Sequence, residues 1–386
     1  MSVFDVVPVS VDDYRRRARR RLPRFLFDYL DGAANDEVTA AANESDFGHY
    51  QLLQRVLRDV DGATTASTLA GQEVKMPLAL APVGMAGMYA RRGETQGARA
   101  AQRAGIPFSL STLGICTVED VAATGKAPWF QLYMLRDRTI VEKLLARAAA
   151  AGCDTLLFTV DLPVTGMRLR DYRNGMLGGG IPGKLSYLAQ LATSPGWAMD
   201  VGIRGKPHTI GNLSEVVPDP DDLNAYKAFI DAQFDPTVTW KDIAWLRQIW
   251  KGKLIIKGVL EVDDARAAVD TGADGLVVSN HGGRQLDGVA SSISKLGAIS
   301  KALGGQTEIL MDGGIRSGID LAKALAMGAN GALMGRPWVY AVAAGGQDAV
   351  VNLLDVFQRE LLVAMALLGI RSIDEFSPQL IEELVQ

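Results

Sequence analysis

The stretch "ARAAVDTGADGLVVS" (residues 265–279) runs from an alanine-rich helical segment through a glycine into a short apolar, β-rich segment. Gly272 follows the last helical turn, where a left-handed backbone conformation closes a helix at least steric cost. "GLVVS" shows no alternation of apolar and polar residues, so it reads as a strand buried on both faces. The same unit recurs as "RAAQRAGIPFSLS" (99–111), "ARAAAAGCDTLLFTV" (146–160) and "KALAMGANGALMG" (323–335). Working outward, the predicted strands are "PLALAPV" (77–83), "PFSLS" (107–111), "WFQLY" (129–133), "TLLFTV" (155–160), "LIIKG" (254–258), "GLVVS" (275–279), "EILMD" (308–312) and "GALMG" (331–335). Helical sequence separates consecutive strands. Eight apolar strands, each followed by a helix, predict an α/β fold of the (β/α)8 TIM-barrel class rather than an open sheet.

That assignment places the whole chain, 1–386, in a single domain. Residues 1–75 form an N-terminal extension, opening with the helical "SVDDYRRRARRRLPRFLFDYL". The barrel covers 76–370 and is interrupted by an excursion over 161–237 after the fourth strand; 371–386 are a C-terminal tail. A connection as long as 161–237 is functional or disordered. Hydrophobic residues make up 48% of the chain, enough for a large core, and the net charge of −4 gives no drive toward nucleic acid. Cys116 and Cys153 fall in the expected interior, so the chain is no disulfide scaffold and fits a reducing cytosol. The N-terminus carries its acids before its basic cluster, the wrong order for a secretory signal, so the sequon-like "NLS" at Asn212 carries no meaning. The best apolar run, "LLDVFQRELLVAMALLGI", is broken by Asp355, Arg359 and Glu360, which predicts a soluble or peripheral protein.

Unusual polar residues and glycines fall at or just past the C-terminal ends of the predicted strands. They are Gly84, Ser111, Gln131 with Tyr133, Thr159 with Asp161, Lys257, His281 with Arg284, Asp312 with Gly314, and Arg336. Strand ends meet water, so one such residue means little; a full set on the rim of a barrel marks the active-site face. After the seventh and eighth strands, "DGGIRSG" and "GRPW" bring turning backbone together with Arg316 and Arg336, a combination suited to phosphate. An ordinary βα turn is the plainer reading. "GGGIPG" matches GxGxxG through Gly178, Gly180 and Gly183, but it follows no strand, contains Pro182 and opens no helix, so it reads as a flexible loop. Lys257 is either a cation at the barrel mouth or a structural lysine paired with an acid. In "SNHGGRQLDG" (279–288), His281 lies among glycines with Arg284 three residues on, and Asp161 is placed to orient its imidazole. His49 and His208 have no such company, and three dispersed histidines predict no metal site.

These motifs, with "LPRFLFDYLDGAA", "MPLALAPVG", "WFQLY", "FTVD", "GMRLRD", "TWKD", "IIKG" and "LMGRP" in the same order, resemble the FMN-dependent L-2-hydroxy-acid dehydrogenase/oxidase family from end to end. "APVGMAGMYARRGE" and "WAMDVGIRGKPHTIGN" resemble its bacterial respiratory L-lactate dehydrogenase branch. The resemblance implies an FMN cofactor and assigns roles. His281 is the base and Asp161 its partner. Arg168 and Arg284 clamp the substrate carboxylate, a task that suits a guanidinium fork, with Tyr29 and Tyr133 adding phenolic hydrogen bonds. Ser111, Gln131, Thr159 and the Gly84 backbone hold the flavin ring, and Lys257 offsets charge on the reduced ring. Asp312 binds ribityl hydroxyls, and Gly314, Arg316, Gly335 and Arg336 surround the phosphate. Gly84 stands where the oxidases of the family carry alanine, which favours a dehydrogenase. Leu113 and Thr165 replace larger pocket residues and leave room for a short side chain. No C-x-x-C-H is present, so the chain is not a flavocytochrome.

The acceptor implied is a quinone or other respiratory-chain component, reached from the cytoplasmic side of the cell membrane by a peripheral, homo-oligomeric enzyme. Two features favour the membrane: the arginines of "RRRARRRLPR" and the apolar "LSYLAQLATSPGWAM", with Tyr187 and Trp197. The plainer readings are a solvated helix face and an active-site lid. A soluble L-2-hydroxy-acid oxidase, reducing oxygen to hydrogen peroxide, is the alternative function. A non-redox phosphate-binding isomerase has no use for two arginines facing a histidine, and a non-catalytic membrane scaffold has no use for an intact site.

Overall fold

Each of the eight predicted apolar runs forms a strand: the first keeps only three of its seven residues, the fifth is longer by one residue at each end, and the others match or are trimmed by one or two. In the computed structural model, which describes residues 7–176, 180–206, 208–217, 229–230 and 232–384, they are β1 (Leu78–Leu80), β2 (Ser109–Ser111), β3 (Trp129–Tyr133), β4 (Thr155–Thr159), β5 (Lys253–Val259), β6 (Gly275–Val278), β7 (Glu308–Met311) and β8 (Gly331–Met334). Pro77 and Pro107 stand just outside β1 and β2, because proline has no N–H to give to a ladder. All neighbours are parallel and in chain order, with β8 returning to β1. A parallel bridge between Leu80 and Phe108 joins β1 to the entry of β2 and completes the ring. The helices between the strands end as the glycines require: Gly105 and Gly272 have φ of 69° and 81°.

The barrel interior is a packed core. Ala79, Trp129, Leu157, Ile255, Val277, Leu310 and Leu333 fill it, and Leu69 and Val74 close it from a ribbon in which Ser67–Leu69 pairs antiparallel with Gln72–Val74. The N-terminal extension contributes α1 (Val11–Arg21), α2 (Arg24–Asp31) and α3 (Val38–Ser45). α1 starts with a reciprocal cap between Ser10 and Asp13. Tyr50–Leu52 pairs antiparallel with Ile381–Glu383, which ties the extension to the tail. Both cysteines are free and buried, and Asn212 is buried, accepting the Val118 N–H at 2.9 Å.

The excursion after β4 is folded, and it corrects two sequence readings. "GGGIPG" is not a loop that opens no helix: α4 (Gly180–Ala192) begins in it. Pro182 is tolerated because the first turn of a helix has no acceptor for its N–H groups. Gly178 lies outside the described residues; no strand precedes the motif, so the dinucleotide reading stays rejected. Trp197 is not an interfacial aromatic. It is buried, donates to the Met88 carbonyl at 2.7 Å and meets Phe25 edge-on, with ring centroids 6.4 Å apart. The side chain of Tyr187 lies outside what is described. Past β8, the helix α5 (Arg336–Leu368) kinks at Gly345 and Gly346 and packs against α1 and against the helices that follow β1 and β7.

Candidate active site

Side chains alternate along a strand, so the residue two past an interior core position faces the same way, one layer nearer the rim. Two past Trp129, Leu157, Ile255, Val277, Leu310 and Leu333 stand Gln131, Thr159, Lys257, Ser279, Asp312 and Gly335. The polar floor of the site is thus the next layer of the core. Gln131 Oε1 accepts from the Ser111 hydroxyl at 3.0 Å, and its Nε2 donates to Thr159 Oγ1 at 3.1 Å, which links β2, β3 and β4. Lys257 is paired with an acid after all: its Nζ lies 2.7 Å from Asp312 Oδ2 and donates to Ser279 Oγ at 2.8 Å. Ser279 was missed in the sequence, although its place two past Val277 would have found it.

His281 sits above this floor. Its Nδ1 is 2.8 Å from Asp161 Oδ1, and its backbone takes a φ of 58°, a strained value for a residue with a side chain. Burial pushes the Asp161 carboxyl up, but the His281 imidazole and the Lys257 cation outweigh it and hold the group below its ordinary value. The approach needs Gly258, whose φ is 109°; a Cβ there would come within 2.6 Å of Asp161 Cγ. The histidine loop is fastened to α3 by reciprocal amide bonds between Asn43 and Asn280, both 2.8 Å, and by Asp287, which accepts the Thr39 N–H at 2.8 Å. Much of the extension serves to fix this loop.

Opposite His281, the rings and cations are stacked. The guanidiniums of Arg168 and Arg284 lie 5.4 and 5.1 Å from the Tyr29 ring centroid. Arg284 also donates to the Tyr29 and Gly32 carbonyls, both at 2.7 Å. Burial, with Arg168 and Arg336 nearby, pushes its pKa down to about 10, so it stays charged at neutral pH. Tyr133 packs edge-on against Phe234, and burial raises its pKa. Arg168 Nε is buried without a partner.

At the ends of β7 and β8, where the sequence predicts a phosphate site, the arginines are engaged differently from the simplest sequence picture. The Arg336 guanidinium donates to the carbonyls of Leu30, Gly282 and Gly32 at 3.1, 3.0 and 2.9 Å. Arg316 is bound to Glu44 at 2.6 Å. With both guanidiniums committed to protein partners, they line the cavity beside the backbone of Gly313, Gly314 and Gly335, the last of which precedes the first turn of α5. Gly314 is also demanded by packing, since a Cβ there would lie 1.8 Å from the Asn43 carbonyl oxygen.

Thirteen of the sixteen predicted site residues line one cavity of about 1190 Å³; Ser111, Gln131 and Asp161 stand just behind its wall. That volume exceeds the ~300–1,000 Å³ of a site for a single small ligand, which leaves room for a cofactor and a substrate together. Among the lining residues without a predicted role are Tyr89, Asp171 and His208, whose Nε2 is 2.8 Å from the Val201 carbonyl oxygen. The sequence offered no signal for them, because all three sit outside the strands. Among the described residues no metal-ligand cluster occurs, and no helix is long and apolar enough to cross a membrane.

Fold and cavity define the class: a (β/α)8 enzyme with a composite site at the C-terminal rim. Over residues 18–383 the chain matches the FMN-dependent dehydrogenase family. It belongs to that family, and FMN is its cofactor. It is 53% identical over 367 residues to an L-lactate dehydrogenase of Caulobacter sp. (strain K31), covering 95% of this chain and 96% of that one. It is 50% identical over 373 residues to the L-lactate dehydrogenase of Alcaligenes faecalis, with 96% and 98% covered. Among solved structures, a monotopic membrane (S)-mandelate dehydrogenase superposes with a TM-score of 0.91 at 33% identity, covering 97% of this chain and 99% of that one. A mandelate oxidase does so with 0.82 at 39%, covering 95% and 96%. The residues fit the cofactor: Asp312 Oδ1 is buried and unpartnered, as an acceptor kept for a ligand hydroxyl would be.

Proposed function

We propose that this protein oxidises L-lactate to pyruvate with FMN and passes the electrons to a quinone or another respiratory-chain acceptor at the membrane surface. The observation that carries the reading is His281, bonded from behind by Asp161 at 2.8 Å, in one cavity with Arg168, Arg284, Tyr29 and Tyr133. The guanidiniums take the substrate carboxylate, and Tyr29 and Tyr133 hydrogen-bond to the carboxylate and the reacting oxygen. With Nδ1 committed to Asp161, His281 offers Nε2 as the base, and Asp161 stabilises the imidazolium that results. The same base serves whether the hydroxyl proton or the α-proton leaves first. Bound FMN supplies the two-electron acceptor. Ser111, Gln131, Thr159 and the Gly84 backbone would hold its ring, Lys257 would offset charge on the reduced ring, and Asp312 would bind the ribityl chain. Gly314, Arg316, Gly335 and Arg336 would surround its phosphate, through backbone more than through guanidinium. L-Lactate is preferred over larger acids because relatives of that name reach 53% identity, whereas the mandelate enzymes lie at 33–39%.

Support for the membrane is apolar rather than cationic. Leu185 and Leu188 of α4, with Met199 and Ile203 beyond it, are all at least half exposed, an arrangement suited to a bilayer surface. The monotopic mandelate dehydrogenase is a structural relative of the same fold. The arginine cluster contributes less than its sequence implies, because Arg15, Arg16, Arg21 and Arg24 are paired with Asp31, Asp12, Asp200 and Asp28. Deleting 180–205 should release the protein from membranes and keep FMN bound; a deletion variant still wholly in the membrane pellet refutes the attachment.

The deciding experiment mixes the holoenzyme anaerobically with L-lactate and follows flavin absorbance, then admits a soluble quinone or air. Bleaching reversed by quinone and barely by air is expected. Rapid reversal by air with peroxide formed would make the protein an oxidase, and absence of bleaching would turn the search to larger 2-hydroxy acids.

A further inference from the structure

Among the described residues, Asp171 is the one buried acid of the cavity wall that the reaction leaves unused. It is 1% exposed, lines the cavity, and its Oδ1 has no hydrogen-bond partner. It follows Arg168 by three residues, its N–H bonded to the Arg168 carbonyl at 3.1 Å, so the clamp arginine and the acid sit on one turn. Arg168 Nε is likewise buried and unpartnered. A carboxylate and a guanidinium, each with a buried unused polar atom in one wall, are costly unless a ligand or a proton completes them.

Resting on the clamp assigned above, we propose that Asp171 is a positioning residue that balances Arg168 and Arg284 in the empty pocket and takes one proton from solvent when a substrate carboxylate arrives. The charges facing it set the sign. Arg168 and Arg170 lie on its own segment, Arg284 comes from the loop after β6, Asp28 from α2, and Tyr89 from beyond β1. Before any ligand binds, burial already holds the Asp171 carboxyl above its ordinary value, against the pull of Arg168 and Arg284. An incoming carboxylate occupies those two cations and adds a negative charge, and both changes favour the protonated acid. One proton is gained per carboxylate bound, drawn from solvent to form an O–H bond on Asp171 with no redox change, and the neutral acid then supplies a donor in place of a repelling charge.

The test reads binding, not turnover. Pyruvate is titrated into the oxidised holoenzyme over a pH series, with flavin absorbance reporting occupancy. A complex that holds one more proton than the free enzyme binds more tightly as pH falls, approaching tenfold per pH unit where Asp171 ionises. Asp171→Asn, neutral at all pH, should flatten that slope and bind pyruvate about tenfold more tightly at the alkaline end. His281→Gln should keep the slope, which separates Asp171 from the imidazole. A second measurement needs no Asp171 variant: in weakly buffered solution with an indicator dye, His281→Gln should take up a proton on mixing with pyruvate. The proposal is overturned if wild type shows no slope, if Asp171→Asn keeps it, or if His281→Gln takes up no proton. Failure of L-lactate to bleach the flavin would instead break the proposed function and leave this titration intact.

Discussion

Along the strand-borne wall of the cavity, Ser111, Gln131 and Thr159 pass hydrogen bonds from strand to strand, and Lys257 is bonded to both Asp312 and Ser279. Along the wall built by the excursion after β4, Arg168 Nε and Asp171 Oδ1 are buried with nothing bonded to them. The first wall leaves Asp312 Oδ1 and, just past β4, Asp161 Oδ2 without a partner, but its cation is paired; the second waits for charge from outside. A satisfied polar layer stabilises the barrel whether or not a ligand is present. An unsatisfied one costs stability in the empty protein and returns it as binding. The difference follows from what carries each wall: strands fix their side chains by register, whereas the excursion is held from behind. Arg170, two residues from Arg168, is bound to Asp31 at 2.8 Å and also to Glu37. Asp31 further receives Arg15 at 2.5 Å and the Tyr340 hydroxyl at 2.7 Å.

The comparison can be broken at several points, in descending size of effect. His281→Gln should keep FMN and lose roughly 10²–10⁴-fold in kcat, the contribution of a positioned acid–base group; near-normal turnover in stopped flow would discard the assigned base. Asp31→Ala should cost about 1–3 kcal/mol in urea unfolding, because it removes a buried carboxylate that accepts charged hydrogen bonds from Arg15 and Arg170, which themselves stay partly solvated. Arg15, Tyr340 and Arg170 outweigh burial and hold the Asp31 carboxyl well below its ordinary value. Its contribution is therefore complete above a pH of about 4, the unfolded value, and is lost as pH falls toward the folded one. Asp31→Ala should lose that part of the acid dependence, and an unchanged profile would refute the anchoring role. Arg168→Lys removes a fork but keeps the charge, so kcat/KM should fall by about 10–100-fold, equivalent to the ~1.5–3 kcal/mol of a charged hydrogen bond. Unfolding should barely move; a large loss of stability would show that the excursion wall is structural. Gly84→Ala is the smallest: the new Cβ would lie 3.4 Å from Leu113 Cβ, an ordinary contact. Thermal unfolding should shift by no more than about 0.5 kcal/mol equivalent, and a larger loss would mean that β1's turn is packed more tightly than its neighbours show.

Most of the strand wall was legible before any coordinates. The helix–glycine–strand unit counted out the barrel, and polar residues in runs of otherwise apolar sequence marked the rim, because the two-residue period of a strand turns position directly into direction. The excursion was not legible in that way. It has no period to fix which side chains face inward, so "GGGIPG" read as a loop although α4 begins there, and Trp197 read as an anchor although it is core. His208 and Asp171 were passed over for the same reason.

Local sequence alone determined the barrel, its rim and the residue types gathered there, since propensity, capping glycines and alternation all act within a few residues. Tertiary structure alone decided which charges are spent and which are free. Arg336 is used by three carbonyls, Lys257 is answered by Asp312, and Asp171 Oδ1 is left without a hydrogen-bond partner. Each of those outcomes depends on a partner tens to hundreds of residues away or on its absence, and electrostatic pairing is set by distance in space and by burial rather than by separation along the chain.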